Sequence, residues 1–78
     1  MGSWTYKTTI FDGEKYEING FNIWDYSWVN THETITIKDS IYNHDYVFFI
    51  YRLKDTNVVF AAGEFSNCVW GIYEYDAV

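Results

Sequence analysis

The chain has 78 residues, with eleven acidic and five basic side chains and a formal net charge of −6. That length holds one domain, residues 1–78, and has no room for a second core. The acidic balance argues against nucleic acid and anionic membranes as partners, since both repel a negative surface.

Six Phe, four Trp and eight Tyr occur without a single proline, and most of the rings alternate with polar or β-branched neighbours. Period-two alternation of such residues is the mark of half-buried strands. Turn signals punctuate the chain at Asp12-Gly13, Asn19-Gly20, Asn30-Thr31-His32, Tyr42-Asn43-His44-Asp45, Asp55-Thr56-Asn57 and Ser66-Asn67. Strands between turns so spaced predict an all-β fold, an antiparallel meander of about six strands, strongly curved and barrel-like. No segment has the periodicity of a helix, and none approaches the ~20 apolar residues of a membrane span. No signal-peptide core follows Met1, so a cytoplasmic location is expected. Met1-Gly2-Ser3 also fits an added N-terminal remnant.

In the first hairpin, a three-residue loop at Asp12-Gly13-Glu14 sets Ile10 beside Tyr16 and Thr8 beside Ile18. That register gathers Trp4, Tyr6, Ile10, Tyr16 and Ile18 on one face. Asn19-Gly20 has the chemistry of a type I′ turn and pairs Ile18 with Phe21 and Tyr16 with Ile23.

The next segment then meets a conflict. If it runs on unbroken, Trp24, Tyr26 and Trp28 point away from the face of Phe21 and Ile23. A bulge near Trp24-Asp25 resolves this. A four-residue turn over 30–33 pairs Trp28 with Ile35 and Tyr26 with Ile37. Residues 46–53 are apolar on both faces, which suits a central strand. A three-residue turn over 55–57 sets Tyr51 beside Ala61 and Phe49 beside Gly63. The Ser66-Asn67 turn then sets Gly63 beside Trp70 and Ala61 beside Ile72.

Trp24, Tyr26 and Trp28 form the main candidate site. Alternate rings on a strand can stack on a sugar or anchor a protein partner. The competing reading is core packing, and Trp28 is expected to be buried against Ile35. Glu64 falls on a face with Phe48, Ile50, Phe60, Val69 and Tyr73, and apolar surroundings are how a carboxylate becomes a general acid. A carboxylate at the rim of a turn is the plainer alternative. Arg52 lies on that face opposite Phe60, too far along to pair with Glu64.

His32 and His44 adjoin Glu33 and Asp45 in turns, without the ligand set that zinc needs. Cys68 has no second cysteine to pair with and reads as a small hydrophobe. No motif asks for a cofactor.

The reading that follows is a non-enzymatic binding module for a protein partner, in the manner of a small acidic inhibitor or immunity-type protein. Its charge favours a basic partner. The alternative is a β-barrel holding a carbohydrate or an apolar molecule, with an enzyme acting through Glu64 a more distant third. If the sheet does not close, its two apolar faces predict a homodimer.

Overall fold

The computed structural model describes residues 2–76. It is all-β, with no helix among the described residues and none long and apolar enough to cross a membrane. Strands β1 (Ser3–Phe11), β4 (Trp28–Asp39), β5 (His44–Leu53), β6 (Val59–Ser66) and β7 (Val69–Asp76) form one sheet. Its order is β1-β7-β6-β5-β4, and every neighbouring pair is antiparallel. A separate two-stranded hairpin joins β2 (Glu17–Ile18) to β3 (Phe21–Asn22). The strands β4 to β7 are a meander, as alternation predicts. The sheet is open, with β1 and β4 as its edges. Met1 lies outside the described residues, whereas Ser3 already pairs with Asp76 at the start of β1.

The first hairpin differs from expectation. The Asp12-Gly13 turn forms, closed by Glu14 N donating to Phe11 O at 2.9 Å. Yet β1 pairs with β7, not with the residues after the turn. Residues 12–27 instead leave the sheet and pass over one of its faces. The next turn forms as predicted: Asn19 and Gly20 have φ of 55° and 83°, Ile18 pairs with Phe21, and Ile23 N donates to Tyr16 O at 2.9 Å. Positive φ at both central positions is what a type I′ turn demands.

This crossing segment makes the core. Ile18 and Ile23 press onto Ile10, Ile72, Ala62, Phe60, Leu53 and Trp28, with Tyr16, Tyr51, Val58 and Trp70 at the margin. Phe48 and Ala61 are also fully buried but stand apart from that cluster. They belong to the back face, where the Phe48 ring meets Phe65 and Tyr73 edge-on at 5.7 and 4.9 Å.

A bulge at Lys7 divides β1 between the two faces. Trp4 and Tyr6 align with Tyr75 and Tyr73 on the back face, while Thr8 and Ile10 align with Ile72 and Trp70 on the covered face. The expected single face of Trp4, Tyr6 and Ile10 is thereby split, because one extra residue reverses the alternation after it.

The later hairpins are one residue out of the expected register. Leu53 N donates to Val58 O, so the loop is the four residues 54–57, with Asp55 at φ 63°. The following turn is Asn67-Cys68, preceded by a bulge at Phe65. Cys68 sits exposed at φ 66°, a turn residue and not a packed hydrophobe. Tyr51 accordingly faces Phe60, Phe49 faces Ala62, Ala61 faces Tyr73, and Gly63 faces Gly71.

Two glycines side by side leave a bare patch of backbone, and Phe48 and Phe65 lie on it. A Cβ on Gly63 would come within 2.7 Å of Val47 O and 2.8 Å of the Phe48 ring. The backbone oxygen has no rotamer through which to retreat. Gly63→Ala should therefore destabilise the fold by about 1–3 kcal/mol, as overpacking does. Chemical denaturation of the variant against wild type measures it, and an unchanged midpoint would contradict this packing.

Candidate functional site

The backbone between β3 and β4 decides where the three candidate rings go. Residues 23–27 form neither an unbroken strand nor a bulged one. Asp25 N donates to Asn22 O at 2.9 Å, Trp28 N to Asp25 O at 3.2 Å, and Ser27 N to Asp25 Oδ1 at 2.9 Å. These successive turns arise because Asn22 and Asp25 offer acceptors to amides two or three residues on, in competition with a ladder. Lys54 N donates to Ser27 O and ties the turns to the β5–β6 loop.

The consequence is that Trp24, Tyr26 and Trp28 do not make a stripe. They surround a cleft of 310 Å³ between the crossing segment and the covered face. Tyr51, Phe60 and Trp70 supply further rings, and Asp25 is the one charged residue in the lining. Ile23, Ala62 and Ile72 complete the apolar floor.

Each ring has a distinct role. Trp28 is buried at 7% exposure, meets Phe60 edge-to-face at 4.8 Å, and donates Nε1–H to Asn22 O at 3.1 Å. It is core, as expected, but faces Leu53 across the ladder. Ile35, its predicted support, pairs with Phe48 on the back face, and Ile37 pairs with Tyr46 and not with Tyr26. The predicted turn over 30–33 is an irregularity within β4, where His32 takes φ 65° and Thr31 donates its hydroxyl to Ile50 O. Trp24 is 42% exposed, donates Nε1–H to Glu14 O at 2.7 Å, and stands edge-on to Trp70 at 6.2 Å. Tyr26 is 95% exposed.

Glu64 is exposed on the covered face opposite Trp70, away from Phe48, Ile50 and Tyr73. Arg52 faces Val59, not Phe60, and lies on the other face of the sheet from Glu64. Its Nη1 donates to Thr56 O at 3.1 Å and steadies its own hairpin loop. The one-residue shift in register is the cause of both corrections. Tyr16 fixes the crossing segment from the far side, donating its hydroxyl to Glu74 Oε2 at 3.0 Å. Burial, and then that carboxylate, push the Tyr16 phenol above its ordinary range. His44 lies against Tyr46, and no group of three or more metal-ligating side chains occurs among the described residues.

No protein-family model, curated protein or solved structure matches the chain.

The cleft predicts an ordered mutational series. Trp28→Ala removes a buried ring and should cost about 3–5 kcal/mol of stability. Trp24→Ala loses a hydrogen bond and one ring contact, worth about 1–2 kcal/mol. Tyr26→Ala should lie within about 0.5 kcal/mol of wild type. Urea melts of the three variants give the ranking directly.

Proposed function

We propose that the protein is a non-enzymatic binding module that recognises a basic protein partner by taking one of its side chains into the aromatic cleft. The observation that carries this reading is the placement of Trp24 and Tyr26. Both present ring surface to solvent at the mouth of a cleft whose floor is the fixed Trp28–Phe60 pair. Aromatic residues around a desolvated pocket are the usual energetic centres of protein interfaces. A volume of 310 Å³ suits one side chain or a small molecule. The net charge of −6 favours a basic partner and would speed its encounter at low salt.

A small apolar ligand is the second reading, supported by the same lining. A carbohydrate fits less well, since a sugar buried among rings with one carboxylate leaves most hydroxyls unpaired. We read the open sheet, with residues 12–27 lying over one face, as barrel-like, with the cleft at its mouth.

Affinity capture from the native host, with wild-type protein and with Trp24→Ala and Tyr26→Ala variants, tests the main reading. We expect a basic protein held by wild type, lost from both variants, and associating more slowly as salt rises. Capture that is indifferent to both rings, or no capture at low salt, would overturn it.

The back face supports a further element of the proposal, a symmetric homodimer. Tyr6, Val29 and Tyr75 are each at least 41% exposed there, and the crossing segment lies over the opposite face. Light scattering should show concentration-dependent association that Tyr6→Ser weakens. A strict monomer at high concentration rules the dimer out.

A further inference from the structure

We infer that the cleft is a cage for an alkylated ammonium group, and that the side chain it takes from the partner is a methylated lysine. This rests on the binding-module reading above and specifies its ligand.

The inference follows from what the lining can and cannot offer. Trp24 and Trp28 have already committed their indole N–H groups, to Glu14 O and Asn22 O. The Trp70 Nε1 is buried, with no partner among the described residues. Trp24 and Trp28 therefore have no N–H left for a ligand, and that of Trp70 is shut away from solvent, so what the indoles offer in the cleft is ring surface. No lysine or arginine belongs to the lining, and Asp25 does. A carboxylate or phosphate would meet the like charge of Asp25 there, with no cationic side chain to hold it and only the neutral Tyr26 and Tyr51 hydroxyls as side-chain donors besides the indoles. One Asp25 oxygen accepts from Ser27 N, and the other has no donor among the described residues. Rings with negative faces around a single carboxylate attract a cation, by the ring quadrupole and by charge together.

The degree of alkylation follows from hydrogen-bond arithmetic. A primary ammonium carries three N–H donors, and Asp25 is the one charged acceptor in the lining. Sinking lysine into the cleft would strip water from three donors, with Asp25 and at most the neutral Tyr26 and Tyr51 hydroxyls to replace it. Methyl groups remove those donors, spread the charge over a larger apolar surface and keep the cation. A volume of 310 Å³ accommodates such a headgroup with part of its aliphatic stem. The overall negative charge of the chain draws the same ligand from a distance.

The test uses three Gly/Ser peptides that differ at one residue: trimethyl-lysine, lysine, and the neutral isostere with carbon in place of the ammonium nitrogen. Tryptophan fluorescence and calorimetry read their binding to the full chain. We expect trimethyl-lysine to bind roughly tenfold or more above both others, the range that desolvated cation–π contacts span. Asp25→Asn keeps the acceptor for Ser27 N and should reduce the preference over the isostere. Tyr26→Ala, at an almost fully exposed position, should weaken trimethyl-lysine binding without altering the melt. Equal or tighter binding of the isostere overturns the inference and leaves an apolar anchor in the binding-module reading. Binding of no peptide, with a basic partner still captured through Trp24, also overturns it while leaving that reading intact. If the partner is lost as well, both fall.

Discussion

An open sheet whose strands are apolar on both sides must have at least one side covered by something other than itself. Here the cover for that side is the sixteen or so residues that carry the chain from β1 to β4 across the sheet, several times the length that its width alone requires, which leaves room for a hairpin and turns. Their attachment is concentrated at Asn22. Its carbonyl accepts from Asp25 N and from the Trp28 indole, while its side-chain oxygen lies 3.4 Å from Tyr16 N and 3.5 Å from Trp24 N. Ile18 and Ile23 supply the apolar contact, and the Tyr16–Glu74 hydrogen bond holds the far side. The core and the cleft are two results of one act of covering.

The cleft exists because this cover is imperfect. A short hairpin with a run of turns behind it cannot tile a sheet face evenly, and the gap falls between the turns and the ladder. Large rings line the gap because each spans more of it than an aliphatic side chain would. Trp28 and Phe60 close its base, leaving Trp24 and Tyr26 nearer to water. Rigidity comes from the sheet and exposure from the turns, a division common to sites that bind.

How much of this was legible in the chain depends on the range of the interaction. Asn19-Gly20 specifies its turn through backbone preference, and that local reading stands. The strands from β5 onward are visible as alternation and turns, and so is the burial of Trp28, whereas a turn expected over 30–33 would cut β4 in two. Which strand lies beside β1 is not visible, because adjacency in sequence favours a hairpin while Trp70, Ile72, Tyr73 and Tyr75 offer β1 a longer ladder. Register was lost at Lys7 and Phe65, where a bulge reverses the alternation without a distinctive residue to announce it. The β5–β6 loop, four residues where three are expected, displaces Glu64, Arg52 and Gly63 together. Period-two patterning singles out Trp24 and Tyr26 but not Tyr51 and Trp70, since nothing in it brings distant strands around a turn. The two aspartate and asparagine acceptors at Asn22 and Asp25 were the available signal that the strand would break.

Pairing of β1 with β7 also has a temporal meaning. The contact joining Ser3 to Asp76 spans almost the whole chain, so it forms after a large loop-closure cost. During synthesis the first strand, with Trp4 and Tyr6 uncovered, must wait for the last to leave the ribosome. The meander can assemble earlier from neighbours alone. Until then the flank of β7's eventual site stands open to any other extended chain, which makes folding order, more than final stability, the condition this topology places on the cell.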